Sequence, residues 1–368
     1  MVAGCDFPQE ITDSIIDCLA HDRGALKSCA LTRRAWLHRS RHHLHRKVAL
    51  DGNIYRRPDY YSTPAAQHIR DLKLVSPPQP PRSGSVDQSG TWTIISRFTE
   101  INTLTILYSS WSGESYKYLA PITNNVTHLE LLVASFGNCD EFFAFVAMFP
   151  NLQSLALSSL TIGSPFGRQS IRIDPPSRLT SLRYGVHFQH PAIAQRIADW
   201  LSYLPRTTLP HFSLTWKAPS HSDLTHILKA LGPRLAHLEV PVSPSSDDVL
   251  TGNFTPRLQS INLVVNGDFT TDHISAASSI LSDITSVDVH KVGFLCNGTS
   301  LIDLDVQALQ PIDELFSHPQ FEDLQNLSFV FSGKSCTAEV DKPDVLADSL
   351  ARNMRRAKSR GILSINFN

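Results

Sequence analysis

Residues 126–157 read VTHLELLVASFGNCDEFFAFVAMFPNLQSLAL, and the rest of the chain repeats their pattern. The stretch opens with the phrase Val126-x-x-Leu129-x-Leu131, in which apolar residues alternate with other residues at its end. Such alternation is typical of a half-buried strand. The same phrase returns as Leu152-x-x-Leu155-x-Leu157, and the apolar segment between the two phrases is a helix candidate. The stretch therefore predicts a strand, a helix and a second strand.

The strand phrase occurs ten times between residues 69 and 329. Its middle positions stand mostly 23 to 32 residues apart, near the roughly 20–29 residues of a leucine-rich repeat. One phrase is Ile284-x-x-Val287-x-Val289, and a last strand is predicted at Leu363-x-Ile365-x-Phe367. The ten middle positions are Leu72, Leu104, Leu129, Leu155, Leu182, Phe212, Leu238, Ile261, Val287 and Leu327.

Units of one strand and one helix cannot bury both of their faces alone, so they must stack. Right-handed crossovers place successive strands parallel, with the helices on one side. The sequence therefore predicts an α/β fold over residues 69–368, an irregular leucine-rich-repeat solenoid with parallel strands inside and helices outside. The repeats lack a recurring Asn after the strand and vary in length, so we expect a degenerate form. An ordinary α/β sheet with coincidental leucine spacing is the alternative.

Helices and loops are predicted between these strands. Residues 76–90 (SPPQPPRSGSVDQSG) contain four prolines, which favours a disordered insertion over a PxxP docking segment. Residues 292–309 are expected to be irregular, with an extra strand at 301–306. Apolar spacing and capping residues predict helices at 142–149, 191–204, 224–231, 274–281 (capped by Thr271 or Asp272) and 345–357.

The N-terminal stretch, residues 5–50, reads CDFPQEITDSIIDCLAHDRGALKSCALTRRAWLHRSRHHLHRKVAL and predicts three short helices and a strand. Four apolar residues of the first helix fall on one helical face, and Asp22 is a plausible N-cap for the second. So small a unit buries little surface by itself, which indicates that one of its faces docks on something else. The four residues are Ile11, Ile15, Ile16 and Leu19.

These N-terminal residues resemble the F-box family. Phe7 replaces the usual Leu of the opening motif, and Arg33-Arg34 stands where many members have Cys-Arg. The alternative is a generic three-helix cap on a larger domain. The matching positions are Phe7-Pro8, Glu10-Ile11, Ile15-Ile16, Leu19, Leu26, Cys29-Ala30-Leu31, Trp36, Arg39 and Leu44.

With the repeats, the chain looks like the F-box proteins with degenerate leucine-rich repeats that are found in mushroom-forming fungi. The resemblance implies a non-catalytic substrate-recognition subunit of an SCF-type (cullin-RING) E3 ubiquitin ligase, without a cofactor. Residues 1–50 would bind a Skp-type adaptor and through it a cullin scaffold, and residues 69–368 would bind a target protein. Residues 51–68 would connect these two parts of the chain. Some of the adaptor-binding candidates are expected to hold the helices in place instead. The candidates are Phe7, Pro8, Ile11, Ile15, Ile16, Leu19, Leu26, Leu31 and Trp36.

Target-binding residues are expected between the paired apolar positions of the strands, on the concave face of the solenoid. Their mixed charge favours a protein surface over a phosphorylated or nucleic-acid ligand. They are Lys73, Thr105, Glu130, Ala156, Arg183, Ser213, Glu239, Asn262, Asp288 and Ser328.

The composition of the chain narrows the kinds of partner and the cellular compartments to be considered. A formal net charge of −1 favours neither nucleic acid nor an anionic membrane as the partner. The six cysteines contain no CxxC pair, and the N-terminus lacks a signal-peptide pattern. No apolar run approaches the ~20 residues of a membrane span. We therefore expect a soluble protein that is cytoplasmic, nuclear or both.

Motifs that would carry chemistry are weak in this chain. His38 and His42 stand one helical turn apart, but no Cys, Asp or Glu completes a tetrahedral set, so no metal site is predicted. Residues 33–47 hold six basic residues and no acid, which favours a solvated or adaptor-facing helix over a phosphate-binding one. Two rivals remain: a leucine-rich-repeat interaction scaffold not linked to ubiquitination, and a hydrolase whose active residues are too dispersed for motif reading.

Overall fold

The structure is a computed structural model that describes residues 8–50, 64–75, 95–111, 119–167, 173–185, 191–205, 210–214, 227–242, 257–267, 269–297, 309–332 and 343–367. Within these ranges the strands are β1 (Lys47–Leu50), β2 (Asp71–Val75), β3 (Thr103–Trp111), β4 (His128–Phe136), β5 (Ser154–Ser158), β6 (Thr161–Ile162), β7 (Ser181–Gly185), β8 (His211–Leu214), β9 (His237–Val242), β10 (Ser260–Asn266), β11 (Lys291–Asn297), β12 (Asn326–Phe331) and β13 (Leu363–Phe367).

The helices lie between these strands and before them. They are α1 (Gln9–Cys18), α2 (Arg23–Thr32), α3 (Arg34–His45), α4 (Ala120–Thr123), α5 (Cys139–Ala147), α6 (Pro191–Ser202), α7 (Thr271–Ser282), α8 (Gln310–Leu315), α9 (Pro343–Asn353) and α10 (Arg355–Ser359). Residues 227–231 are also helical, and short 3-10 helices span Pro64–His68, Gly232–Arg234 and Pro319–Phe321.

The thirteen strands form one sheet in which all pairs are parallel. Each strand pairs with the next one in the chain, except that the short β6 pairs with β4 and β5 pairs with β7. Parallel neighbours cannot be joined by a tight hairpin, so each connection must cross back over the sheet. The predicted α/β fold with stacked parallel strands and helices is therefore confirmed.

The core lies on one face of this sheet. The paired apolar positions of the strand phrase point into it, as Leu72 and Leu74 of β2 and Leu129 and Leu131 of β4 do, each at most 1% exposed. Aromatic residues continue the core towards the C-terminus, where the rings of Phe294 and Phe329 stack at 4.7 Å. Burying one such side chain contributes about 1.5–3 kcal/mol. The repeated apolar pairs therefore determine which face of each strand turns inward.

The predicted strand around Val287 is wrong. Val287 is 61% exposed, and β11 begins only at Lys291. The phrase that enters the core is Val289-x-x-Val292-x-Phe294, whose three apolar residues are fully buried. Both phrases fit the pattern, and pairing decides between them, because Val292 stands in register with Ile261 of β10 and with Leu327 of β12. The first part of residues 292–309, expected to be irregular, is therefore strand.

The helix predicted at 345–357 is broken at the buried Met354 into α9 and α10. The cause is the buried Asp313 of α8, whose carboxylate accepts the backbone N–H groups of Arg356 (3.0 Å) and Ala357 (3.2 Å). A carboxylate at this position satisfies the free amides of a first helical turn, so it starts a new helix there. The predicted caps of α7, Thr271 or Asp272, are one and two residues late, because Thr270 is the N-cap.

The helix predicted at 142–149 corresponds to α5, which begins three residues earlier, and the helix predicted at 191–204 corresponds to α6. Of the helix predicted at 224–231, residues 227–231 are helical and residues 224–226 lie outside the described residues. Strand β13 lies where the last strand was predicted. The proline-rich stretch 76–90 and residues 301–306 lie outside the described residues. Within the described ranges, no helix is long and apolar enough to cross a membrane.

Candidate interaction surfaces

The first helix, α1, has two apolar edges rather than one. Ile16 is 1% exposed, whereas Ile11 and Ile15 are 49% and 53% exposed. Ile11 and Ile15 stand one turn apart and therefore share a side of the helix. The prediction of one continuous apolar face on α1 is thus wrong, because the inward and outward residues lie on different sides.

The nine adaptor-binding candidates divide by burial. Ile16 and Leu26 are buried, so neither side chain is exposed for contact with an adaptor. Leu19 and Trp36 are half-buried. Leu31, at the end of α2, is 89% exposed. Pro8 is exposed at the N-cap of α1, and Phe7 lies outside the described residues.

One carboxylate braces the first and third helices. Asp17 of α1 accepts hydrogen bonds from Nε and Nη2 of Arg39, both at 2.6 Å, and from Nε2 of His43 at 2.7 Å. The hydrogen bonds from Arg39 and then from His43 hold the pKa of Asp17 well below its usual range. Asp22 caps α2 as predicted, since its Oδ1 accepts the N–H groups of Gly24 and Ala25 at 2.9 Å.

The joint between these helices and the sheet is packed by imidazoles. The ring of His68, in the 3-10 helix Pro64–His68, meets the rings of His38 and His42 edge-on, with centroids 5.1 and 5.7 Å apart. Burial lowers the pKa of both His42 and His68, which favours neutral rings at the joint. Strand β1 follows α3 after a single residue and pairs with β2, so the helices are tied to the first edge of the sheet.

The sheet face that points away from the core carries the predicted target-binding residues, and we call it the open face. Nine of the ten lie in one unbroken row across the strands, and Ala49 and Ser364 extend the row at its ends. Asp288 does not belong to the row; its place is taken by Gly293, which pairs with Asn262 and Ser328. The row reads Ala49, Lys73, Thr105, Glu130, Ala156, Arg183, Ser213, Glu239, Asn262, Gly293, Ser328 and Ser364.

Side chains in this row are linked across strands. Oγ1 of Thr105 donates to Oε2 of Glu130 at 3.0 Å, and Oγ of Ser213 donates to Oε1 of Glu239 at 2.6 Å. A Cβ added to Gly293 would stand 2.5 Å from Oδ1 of Asn262, so Asn262 occupies the space that a side chain on β11 would need. The hydroxyl donors therefore fix the positions of two carboxylates on the open face.

A second polar row, two residues earlier on each strand, was not predicted. Side chains two apart on a strand share a face, so the alternation already contained this row. It differs from the first row in carrying three histidines. It reads Lys47, Asp71, Thr103, His128, Ser154, Ser181, His211, His237, Ser260, Lys291 and Asn326.

An apolar ridge crosses the open face near the middle of β3 and β4. Tyr108 and Val133 are exposed there and have positive φ angles of 51° and 55°. The half-buried Leu107 and Leu132 precede them and pair with each other. The sequence did contain a signal for this ridge, because each strand has two adjacent apolar residues that break its alternation, Leu107-Tyr108 in β3 and Leu132-Val133 in β4.

Comparison with known proteins adds no name to this geometry. No family model matches the chain, and no curated protein is significantly similar to it. What the chain does is therefore argued from its residues and surfaces.

Proposed function

We propose that this chain is the substrate-recognition subunit of an SCF-type ubiquitin ligase, with its N-terminal helices bound to a Skp-type adaptor and its open sheet face bound to a target protein. The adaptor would in turn link the chain to a cullin scaffold. The N-terminal unit would be an F-box, and the sheet with its helices a degenerate leucine-rich-repeat solenoid. The observation that carries the proposal is the exposure of Ile11, Ile15 and Leu31 on a unit with the F-box-like sequence.

Exposed branched apolar side chains on a small helical unit are expected to be covered by a partner. Burying a leucine as exposed as Leu31 contributes about 1.5–3 kcal/mol to a complex. Ile11 and Ile15 share one side of α1, and neighbouring exposed apolar side chains are typical of protein interaction sites. Ile16 and Leu26, in contrast, are already buried without any partner.

The proposed role requires no chemistry in this chain. Tethering a target beside the ubiquitin-charged enzyme raises the effective concentration of its lysines at the active site of another subunit. The open face supports this role because a row of mainly polar residues runs across the strands, with hydrogen bonds between the side chains of Thr105 and Glu130 and of Ser213 and Glu239.

Adaptor binding tests the proposal directly. The full chain is mixed with a recombinant fungal Skp-type adaptor, and the dissociation constant is measured by titration calorimetry. The variant Ile11→Ser/Ile15→Ser is expected to bind at least tenfold more weakly, because it replaces exposed apolar contacts and leaves the core unchanged. Val287→Ser is the matched control, since Val287 is a branched side chain of similar exposure near β11. It should bind as the unaltered chain does.

A leucine-rich-repeat scaffold not linked to ubiquitination is the second candidate. The observation that favours it is the tie between α3, the 3-10 helix Pro64–His68 and β1, which suits a cap on the first edge of the sheet. The unaltered chain would then fail to bind any adaptor. That result, or undiminished binding by the double variant, would contradict the proposed ligase role.

A further inference from the structure

Four neighbouring strands place nitrogen and hydroxyl groups in one line on the open face. His211 of β8 pairs with His237 of β9, which pairs with Ser260 of β10. Ser260 pairs in turn with Lys291 of β11. We call these four residues the imidazole row. With strands about 4.8 Å apart, the row is about 14 Å long, which suits several side chains of an extended peptide.

The two imidazoles are positioned by their neighbours. The rings of His211 and His237 stack with centroids 4.3 Å apart and planes 11° apart. Nδ1 of His237 lies 2.7 Å from Oγ of Ser260, so this nitrogen already has a partner. Nε2 of His237 has no hydrogen-bond partner in the described part of the chain.

The surroundings of the row are cationic. Burial lowers the pKa of His237, and the charges of His211, His290 and Lys291 lower it further. The imidazole row itself contains no carboxylate, and Lys291 is exposed without an ion pair to any described residue. An anion on this surface would therefore meet donors that lack a charged partner.

The other charged groups near the imidazole row do not change its cationic character. Glu239 lies in the neighbouring row of β9, where its Oε1 already accepts from Ser213. Arg183 of β7 stands in the same neighbouring row and adds a positive charge. Asp288 is exposed before β11, and its backbone carbonyl lies 3.4 Å from Nδ1 of His290.

We propose that the imidazole row binds the carboxylates of an acidic, aspartate- or glutamate-rich segment of a partner protein, and that binding takes up protons. Under the proposed function this partner is the ubiquitylation target. The carboxylate preference itself is testable without any adaptor, so failure of one proposal is distinguishable from failure of the other.

A carboxylate fits this row better than a metal ion does. Among the described residues, no three His, Cys, Asp or Glu side chains are grouped to hold a metal. A carboxylate needs hydrogen-bond donors and not a cluster of ligands around one point, and the imidazoles and Lys291 offer such donors along the row.

Proton uptake follows from the sign of the pKa change. In the free protein the pKa of His237 lies below its ordinary value of 6.5, so the ring is mostly neutral at pH 7. A bound carboxylate favours the charged imidazolium and raises the pKa. Binding is therefore expected to tighten as the pH falls towards 6, where the complex gains a proton that the free protein lacks.

The test uses the full chain and an acetylated, amidated peptide of four consecutive glutamates flanked by glycines. The same peptide with glutamines is the control ligand. Dissociation constants are measured by calorimetry at pH 7.5 and 6.0, while the histidine Cε1–H resonances are followed by NMR. We expect the glutamate peptide to bind at least threefold more tightly at pH 6.0, with an upward shift of the His237 pKa.

Variants localise the effect. His211→Gln/His237→Gln should remove the pH dependence and weaken binding at least threefold at pH 6.0, and Lys291→Gln should weaken it at both pH values. His128→Gln is the matched control, because His128 is an exposed histidine of the same polar row on β4, outside the four strands of the imidazole row. It should leave binding unchanged.

Three results would overturn the proposal. One is equal affinity for the glutamate and glutamine peptides. Another is an equal loss of binding in His128→Gln, which would indicate diffuse electrostatics. The third is tighter binding of a single-stranded oligonucleotide of the same charge, which would make the row a nucleic-acid surface.

Discussion

Val133 has a φ angle of 55° in the middle of β4, in the left-handed region that a β-branched residue rarely adopts. Tyr108 and Ser159 stand at the equivalent places one strand to either side and have φ angles of 51° and 54°. A left-handed residue costs about 1–2 kcal/mol in an L-amino-acid chain. Three aligned residues therefore share the strain, and two of them expose apolar side chains on the open face.

Replacing Val133 with glycine should stabilise the protein. Glycine adopts a positive φ without steric cost, and the relief exceeds its entropic cost, for a net gain of about 0.5–1 kcal/mol. Urea denaturation followed by circular dichroism measures the change. Ala156→Gly on β5, where φ is not positive, is the control and should cost about 0.5–1 kcal/mol. Equal destabilisation by both variants would show that position 133 is unstrained.

Asp283, the C-cap of α7, is a second residue that destabilises the folded protein. Its Oδ2 is buried without a hydrogen-bond partner among the described residues, and burial raises the pKa of the carboxyl. A negative charge at a helix C-terminus is unfavourable by about 0.3–1 kcal/mol. Folding therefore favours the protonated form of Asp283.

Asp283→Asn is predicted to raise the free energy of unfolding at pH 7 by about 0.3–1 kcal/mol, because the neutral amide removes the charge from the helix end. A raised carboxyl pKa means that the native state binds more protons, so the favourable contribution of Asp283 is present at acid pH and is lost as the pH rises through the native pKa. The advantage of the variant should thus grow between pH 4 and pH 7 in thermal melts. An advantage that is the same at both pH values would contradict this explanation.

At the scale of elements, the N-terminal unit depends on side chains that join helices distant in sequence. Asp17 links α1 to α3 through Arg39 and His43, and the C-terminal end of the molecule uses a similar device. There, the guanidinium of Arg360 donates to the backbone carbonyls of Phe316, Phe321, Glu322 and Leu324. Both ends of the sheet are therefore held by charged groups that satisfy several partners at once.

Asp17→Asn is expected to loosen α1 by about 1 kcal/mol, a value that allows for the partial exposure of the ion pair. The pKa of Asp17 is depressed in the native state, so its stabilisation is present above the ordinary value of 3.8 and is lost as the pH falls through the native pKa. Amide hydrogen exchange of α1 at pH 6 measures the effect.

Asp13→Asn is the control for this prediction. Asp13 lies one turn earlier on the same helix, and the hydrogen bond described for it joins its Oδ1 to Nε2 of Gln9. It should change the exchange of α1 much less than Asp17→Asn does. Equal exchange rates in the two variants would mean that the ion pair with Arg39 does not brace the helices.

At the scale of the whole molecule, each strand contacts chiefly the strands next to it, in an order that follows the chain. Stability in such an array is close to a sum of terms between neighbours. A destabilising substitution at one end of the sheet should therefore lower the stability of only the few strands nearest to it.

Leu327→Ala tests this locality. Leu327 is fully buried on β12, and its truncation should cost about 2–5 kcal/mol. Hydrogen exchange is expected to accelerate in β11 to β13 and to stay unchanged in β2 to β4. Leu129→Ala on β4 is the mirror control and should reverse the pattern. Acceleration of all strands by either variant would show a single cooperative unit.

Much of the architecture was present in the sequence, because the strand phrase acts locally. Apolar pairs such as Leu129 and Leu131 can be buried only if the strand turns one face inward, so their recurrence predicted stacked parallel strands. The same alternation placed Lys73, Glu130 and Arg183 in one row of the open face. These features depend on residues close in sequence.

The tertiary structure decided what depends on distant residues. Two overlapping phrases compete before β11, and only register with Ile261 and Leu327 selects Val292 over Val287. The outward side of α1 was set by packing against α3, and the break at Met354 by the carboxylate of Asp313. The sequence by itself determined that strands recur and which of their residues are apolar, since that is a local periodicity. Which of two overlapping phrases is buried, and which side chains come into contact, depends on neighbouring strands and helices that the chain brings together only on folding.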